Sequence, residues 1–226
     1  MTCAHPIGTD VNLERGFTLV ELLVATVVSM LVLGGAVALT SQVQTGYRRQ
    51  VEAAAAEQEG RYALEWIGKL LRGAGNNPFS KADSDCPSVD FLYIPIRFDP
   101  DLDTLDDDIR LQTDANPPDG LIGGAAGLCD QPNEDVTISY DAVNRAIVFF
   151  DNNLAPEASI RTDAVIQNLR FKYYDATHTE MDTSVANPAN VRYVETQITV
   201  RTRTLDPSTG QPVMRVVSSE VRVRGI

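Results

Sequence analysis

The chain has 226 residues, 22% of them charged, and it carries a net charge of −12 at pH 7 with a pI near 4.5. Affinity for phosphate groups comes from Lys and Arg side chains, so this acidic balance argues against a general nucleic-acid-binding protein. Clusters of Cys and His, other metal-ligand motifs and a glycine-rich phosphate loop are missing from the sequence, which therefore predicts neither an enzyme nor a bound cofactor.

The first predicted element is an apolar run over residues 17–39, interrupted by the carboxylate of Glu21. A helix of this length measures about 35 Å, which is enough to cross a bilayer. A charge near the end of such a helix costs roughly 2 kcal/mol or more unless it finds a partner. The run therefore predicts a membrane-spanning helix in contact with lipid, and Glu21 is its candidate functional residue.

Helical periodicity continues beyond the apolar run. Apolar residues recur mostly at three- and four-residue steps with charged residues between them, as in an amphipathic helix with one buried face. Gly73 and Gly75 mark the end of the pattern. We predict one helix over residues 17–74, within a helical region of residues 17–76 that precedes a globular, β-rich head at 77–226.

The residues around Glu21 resemble a processing signal. Gly16 is followed by Phe17-Thr-Leu-Val-Glu21 and then by the apolar run. This segment resembles the class III signal of type IV prepilins and type II secretion pseudopilins. The resemblance implies that prepilin peptidase removes a leader of residues 1–16 and that the new amino terminus at Phe17 is N-methylated. It also implies that Glu21 pairs with the terminal ammonium of its own or a neighbouring subunit during assembly.

An ordinary signal peptide or an uncleaved anchor is the competing interpretation of the run. An ordinary signal has an apolar core of about 7–15 residues and a small-residue cleavage site behind it, and neither feature fits here. The leader departs from the usual Lys- and Arg-rich pattern because it holds Asp10 and Glu14 against Arg15. A cytoplasmic leader and an exported remainder are therefore implied by the resemblance and not by the charges.

A second segment narrows the resemblance. Residues 58–67 (QEGRYALEWI) and 71–75 (LRGAG) are similar to the segment that distinguishes PilW-type minor pilins from major pilins. The resemblance implies a single-pass inner-membrane protein with a periplasmic head, which later joins the pilus or cell surface.

The same resemblance implies a function and partners. A minor pilin of this kind takes part in the initiation or tip complex of a type IV pilus, and hence in motility, adhesion or DNA uptake. The implied partners are other minor pilins, the major pilin and the inner-membrane assembly platform. A J-type pseudopilin of a type II secretion system is the alternative within the superfamily, and a membrane-tethered adhesin or binding domain is the alternative from another class.

The head is predicted to begin with loops and to continue with strands. A strand at 89–97 interrupts the loop-rich stretch of 79–135, and Pro95 in this strand suggests a sheet edge. Two hairpins and one further strand follow, at residues 136–140 with 145–150, at 165–174, and at 191–204 with 213–224. These elements predict an α+β, type IV pilin-like fold in which the long N-terminal helix packs on an antiparallel β-sheet.

Two cysteines remain once the leader, with its Cys3, is removed. Cys86 and Cys129 form an even pair in a part of the chain expected to be exported, which fits one disulfide. Two buried free thiols are the alternative interpretation.

One acidic run of the head is a weak candidate for a calcium site. Asp99, Asp101 and Asp103 have the one-three-five spacing that begins a calcium loop. Thr104 stands where that loop needs glycine, and Arg110 stands where it needs a bidentate glutamate. The sequence therefore favours a solvated acidic loop without a metal, and calcium binding is the alternative.

Basic residues gather near the C-terminal hairpin, namely Arg201, Arg203, Arg215, Arg222 and Arg224. Strand alternation places Arg201 with Arg203, and Arg222 with Arg224, on shared faces. With the acidic run they predict an electrically asymmetric head that suits docking between unlike subunits, and an ordinary solvated sheet face is the alternative.

His178 is the one histidine outside the leader, and Asp175 and Asp182 lie close to it in the sequence. These three residues are a conceivable site. We interpret the segment as a polar turn, because a turn rich in polar residues explains it without a ligand.

Overall fold

The computed structural model describes residues 16–78, 93–115, 117–125, 128–153, 159–184 and 186–223. Contacts between Cα atoms divide the chain into two units, Met1–Arg48 and Arg49–Ile226, with the boundary inside a long helix. The leader, helical region and head that the sequence suggests, at 1–16, 17–76 and 77–226, stay predictions.

The long helix, α1, spans Leu19–Gly73 and contains 55 residues. It begins two residues later and ends one residue earlier than the sequence pattern indicates. In the first unit its apolar side chains are exposed, and the most apolar window of the helix has none of its residues buried. Length and hydropathy make α1 the one helix of the described residues that is capable of crossing a membrane.

In the second unit, α1 buries a stripe of small and aliphatic residues at three- and four-residue steps: Ala56, Gly60, Ala63, Leu64, Ile67, Gly68 and Leu71. This spacing keeps the buried residues on one face of the helix. The helix ends where Ala74 N–H donates to the carbonyl of Leu70 at 3.0 Å and Gly75 takes a φ of 79°, a left-handed conformation that glycine adopts at little cost.

Eight strands follow α1 in the described residues: β1 (Ile96–Phe98), β2 (Asp108–Gln112), β3 (Asp135–Asp141), β4 (Ala146–Asp151), β5 (Ser159–Ile160), β6 (Ile166–Tyr174), β7 (Tyr193–Leu205) and β8 (Pro212–Arg222). They form a five-stranded sheet in the order β1-β2-β3-β4-β5 and a three-stranded sheet in the order β6-β7-β8. All neighbouring strands are antiparallel.

The α+β fold class is confirmed, and the arrangement is consistent with a type IV pilin-like fold. The prediction differs from the structure in three respects. Of the strand predicted at 89–97, the described residues 93–95 are not strand, and β1 begins at Ile96. The strands divide into two sheets instead of one, and β2 and β5 lie where the sequence suggests no strand. The predicted hairpins are present, since β3 pairs with β4 and β7 pairs with β8.

Close packing joins α1 to the three-stranded sheet at Gly60. A Cβ atom at this position would lie 2.8 Å from Cγ1 of Val200 and 2.9 Å from Cγ2 of Val217. Real Cβ atoms almost never come this close to another heavy atom, so the absence of a side chain permits the contact. At Gly68 a Cβ would meet Val221 at an ordinary 3.5 Å, so the close approach is local.

Polar contacts reinforce the packing of α1. Glu52 accepts hydrogen bonds from the backbone N–H and the hydroxyl of Thr204, and Glu59 accepts one from Asp163 N–H at 3.0 Å. Just after the C-terminal end of the helix, Gly75 N–H donates to the carbonyl of Gln112 at 2.9 Å. One apolar core cluster contains residues from α1 and from both sheets.

Candidate functional site

The start of α1 is a capping box formed by Thr18 and Glu21. Oε2 of Glu21 accepts hydrogen bonds from the backbone N–H and the hydroxyl of Thr18, each at 3.0 Å. In return, Glu21 N–H donates to Oγ1 of Thr18 at 3.2 Å. A Thr followed three residues later by Glu is the usual sequence signal for this arrangement, which satisfies two backbone donors at a helix start. The signal, Thr18 followed by Glu21 three residues later, is already present in the sequence.

Gly16 and Phe17 lie before the first helical residue of α1, and the Phe17 side chain is 86% exposed. The predicted cleavage junction is therefore outside the helical hydrogen-bond ladder. Glu21 is also exposed, and Oε2 is the oxygen that Thr18 occupies. A second charged group can reach the carboxylate without first breaking a packed contact.

The acidic run does not form one solvated loop. Asp108 begins β2 and is 1% exposed, whereas Asp101 and Asp103 are exposed in the loop before it. The structure brings together Asp99, Asp101 and Asp108, with one carboxylate oxygen of each within 4.8 Å of the others. Asp103 is not part of this group and accepts a hydrogen bond from Leu105 N–H at 2.8 Å. We call Asp99, Asp101 and Asp108 the acidic cluster.

Asp108 points to the face of the five-stranded sheet opposite Ile109 and Leu111. A cavity of ≈ 360 Å³ on this face is lined by Asp101 and Asp108, by polar residues of β2 and β3 and Asn152 after β4, and by the apolar side chains of Pro100 and Phe150. Burial, with the nearby charges of Asp101 and Asp99, raises the pKa of Asp108 to about 7. Burial, with the charges of Asp103 and Asp101, also raises the pKa of Asp107.

A second set of carboxylates is fully buried in the same sheet and in the loop beside it, but each has hydrogen-bond donors. Asp135 accepts from Nε and Nη2 of Arg110, both at 2.7 Å, and from the side chains of Gln112 and Asn152. Asp114 accepts from two backbone N–H groups at 3.0 and 2.7 Å. Glu134 accepts from two backbone N–H groups at 2.9 and 2.8 Å. We call these three residues the satisfied carboxylates.

The predicted disulfide joins a described cysteine, Cys129, to one that lies outside the described residues. Cys129 is disulfide-bonded and has a positive φ of 44°. Cys86 lies outside the described residues, so its pairing with Cys129 stays a prediction.

The structure separates the arginines of the C-terminal hairpin. Arg222 pairs across the strands with Tyr193, whereas Arg201 pairs with Met214 and Arg215 with Val200, so Arg222 lies at the opposite end of the hairpin from Arg201 and Arg215. Arg203 forms an ion pair with Asp163 at 3.0 Å. Arg224 is outside the described residues. A single basic patch at this hairpin is therefore not what the described residues form.

The segment around His178 forms polar turns. The carboxylate of Asp175 accepts from Thr177 and Thr179 N–H, and that of Asp182 accepts from Ser184 N–H. The His178 ring stacks on Tyr174 with 5.1 Å between centroids, and its Nε2 lies 3.1 Å from an oxygen of Glu220.

Residues 11–37 match the family described as the prokaryotic N-terminal methylation motif. The match contains the Gly16–Phe17 junction, the capping box and most of the apolar run. It indicates a protein of the type IV pilin or pseudopilin class. The motif implies processing by prepilin peptidase and assembly with other pilins, and proteins of this class are usually not enzymes.

The exposed apolar helix is consistent with a membrane-anchored protein. No curated protein and no solved structure matches the chain.

Proposed function

We propose that the chain is a PilW-type minor pilin, cleaved between Gly16 and Phe17 and N-methylated at Phe17, that takes part in the initiation or tip complex of a type IV pilus. Before assembly it spans the inner membrane once, with the leader in the cytoplasm and the head in the periplasm. Its partners are other minor pilins, the major pilin and the inner-membrane assembly platform.

The observation that carries this proposal is Glu21 at the start of an apolar helix, within a matched methylation motif. Cleavage after Gly16 creates an ammonium group four residues before Glu21. Opposite charges in a low-dielectric medium relieve each other's desolvation, and losing one leaves the other unpaired at a cost of about 3–5 kcal/mol. Glu21 therefore sets the position of the subunit against the amino terminus that it meets.

The choice of the PilW branch depends on the second half of α1. The similar segment includes Gly60, where the helix comes closest to Val200 and Val217 of the three-stranded sheet. A small residue at this place gives the segment a packing role that is independent of the methylation motif. A J-type pseudopilin shares this segment closely and is the second candidate.

The direct test deletes the gene and scores both piliation and exoprotein secretion. We expect pili to be lost and secretion to be kept, with wild-type chain restoring the pili. A Glu21→Ala chain is expected to be cleaved normally but to enter pili poorly. Glu65→Ala is the matched control, because Glu65 is a carboxylate on the same helix whose exposed pair with Lys69, at 2.9 Å, contributes little.

Each alternative has its own outcome. Lost secretion with normal pili would identify a type II secretion pseudopilin. A purified protein that still begins at Met1 would identify a membrane-tethered binding protein that never polymerises. Non-reducing mass mapping of the mature chain checks the Cys86–Cys129 bridge, and two alkylatable thiols would contradict it.

A further inference from the structure

The acidic cluster gathers three oxygen ligands around one point. One carboxylate oxygen from each of Asp99, Asp101 and Asp108 lies within 4.8 Å of the other two. Calcium binds oxygen ligands at about 2.3–2.6 Å, so two ligands on opposite sides of the ion are about 5 Å apart. The three oxygens are therefore about as far apart as the ligands of a single calcium ion.

Asp108 supplies an observation that is independent of this clustering. Its side chain is buried at 1% exposure, and its Oδ1 has no hydrogen-bond partner. Its Oδ2 accepts one long hydrogen bond, from Asp101 N–H at 3.2 Å. A buried carboxylate oxygen without a donor has lost its water without gaining a hydrogen bond, and binding a cation would compensate that loss.

The surroundings of Asp108 favour a cation over a protein donor. The strongest charges acting on Asp108 are those of Asp101, Asp99 and Asp107, all of them carboxylates. Arg110 lines the same cavity, but its guanidinium donates two hydrogen bonds to Asp135. The negative charge of the cluster is therefore concentrated next to a position that a bound cation would neutralise.

The three ligands come from both sides of one connection. Asp99 and Asp101 lie in the loop between β1 and β2, whereas Asp108 is the first residue of β2. The other end of this loop is already fixed, because the carbonyl of Asp106 accepts from Phe171 N–H at 2.7 Å. The turn itself is held by the Asp99 carboxylate, which accepts from Asp103 and Thr104 N–H at 3.0 Å each. A cation in the cluster would add a connection between this turn and β2 to the one hydrogen bond from Asp101 N–H to Asp108.

We propose that Asp99, Asp101 and Asp108 bind one calcium ion, which holds the loop between β1 and β2 against the five-stranded sheet. Magnesium fits less well, since its ligands lie at about 2.1 Å in near-ideal octahedral geometry and it keeps several waters. The site differs from the sequence pattern in that Asp108 replaces Asp103. It is independent of the proposed role in a pilus.

Calorimetry on the full-length protein in detergent micelles, after removal of metal with a chelator, tests the site. We expect calcium chloride to give heat with a stoichiometry of one ion and to raise the unfolding temperature. Magnesium chloride is expected to bind at least about tenfold more weakly. Absence of heat and of a temperature shift at millimolar calcium would overturn the proposal, as would equal affinity for the two ions.

Three Asp→Asn variants locate the ion. Asp108→Asn is expected to weaken calcium binding at least about tenfold, because it removes a charged ligand and keeps the side-chain shape. Asp103→Asn, in the same loop, and Asp182→Asn, in a distant turn, are the matched controls and are expected to bind like the wild type. Wild-type affinity in Asp108→Asn, or a loss confined to Asp103→Asn, would overturn the assignment.

The unfolding temperature of the Asp108→Asn variant in chelator separates a loss of calcium binding from a loss of the fold. Since the substitution removes an unpaired buried charge, we expect the variant to unfold at or above the wild-type temperature when no calcium is present. A folded variant that no longer responds to calcium supports the site, and a folded variant that still responds contradicts it.

Discussion

The satisfied carboxylates and Asp108 are buried to nearly the same degree, yet their surroundings are opposite. Asp135 receives four hydrogen bonds from three side chains, and two of the bonds come from Arg110. Asp108 receives one, and its other oxygen has no partner. Burial of a charge is tolerated where the fold supplies donors. The difference shows that exposure alone does not tell a structural carboxylate from a candidate ligand.

The largest expected effect on stability comes from a satisfied carboxylate, Asp135. Asp135→Ala removes the partner of two short hydrogen bonds from Arg110, so we expect the free energy of unfolding to fall by about 3–5 kcal/mol. Urea unfolding followed by the fluorescence of Trp66, the single tryptophan, measures it. Asp108→Asn is the comparison variant, and equal losses in the two variants would remove the distinction between the two groups.

A variant without any charge change tests the packing of α1 against the three-stranded sheet. Gly60→Ala places a Cβ against Val200 and Val217, and overpacking of this kind costs about 1–3 kcal/mol. Gly68→Ala is the matched control, because its Cβ finds ordinary contacts and alanine favours a helix by up to about 1 kcal/mol. If Gly60→Ala were as stable as Gly68→Ala in urea, the close approach of α1 to the sheet would be wrong.

For Asp108, the carboxylate without a full set of donors, we expect a small change in the free energy of unfolding, opposite in sign to that of Asp135→Ala. In chelator, Asp108→Asn should leave the free energy of unfolding unchanged or raise it by up to about 1 kcal/mol, because the buried unpaired charge is gone. Addition of calcium should stabilise the wild type and not the variant. A loss of more than about 1 kcal/mol in chelator would mean that Asp108 has a donor partner in solution.

The smallest effect concerns an exposed carboxylate, Glu52. The hydrogen bond from the Thr204 hydroxyl, with the one from its backbone N–H, lowers the pKa of Glu52 below its usual value of 4.5 against the opposing effect of desolvation. A lowered pKa in the folded state means that the contribution is present above pH 4.5 and is lost as the pH falls through the folded-state pKa.

Glu52→Gln imitates the protonated side chain and isolates this contribution. We expect a loss of less than about 1 kcal/mol at pH 7 that disappears in acid, where the wild type is protonated too. Urea unfolding of both proteins at pH 7 and in acid measures the difference. A constant difference across this range would assign the effect to shape instead of charge.

The sequence predicts the helix and the two hairpins well because their signals are local. The stripe from Ala56 to Leu71 follows from helical spacing, and the β3–β4 turn follows from polar residues between two apolar runs. Strand β2 is missed although Asp108, Arg110 and Gln112 alternate with its two aliphatic residues, because it is short and directly follows an acidic run that suggests a loop. Their burial depends on partners such as Asp135, 25 residues from Arg110, which local spacing does not reveal.

The candidate sites also divide into those with a local sequence signal and those that depend on tertiary structure. Glu21 is identified from the sequence because its charge stands out in an apolar run. The spacing of Asp99, Asp101 and Asp103 predicts a cluster in this loop. The structure instead groups Asp108 with Asp99 and Asp101, since the turn of the chain into β2 carries Asp108 inward, and metal binding there stays a proposal. The separation of the strands into two sheets was also beyond the sequence pattern, because strand order is set by tertiary packing.

The capping box at Thr18 also determines how far the Gly16–Phe17 bond lies from the start of α1. The hydrogen bonds between Glu21 and Thr18 fix the residue at which α1 begins. The Gly16–Phe17 peptide bond therefore stays before the first helical residue, Leu19. A peptide bond inside the helix would have its N–H and C=O tied to other turns of the chain. The carboxylate proposed to meet a neighbour's amino terminus thus also keeps the bond proposed for cleavage outside the helix, where a peptidase can reach it.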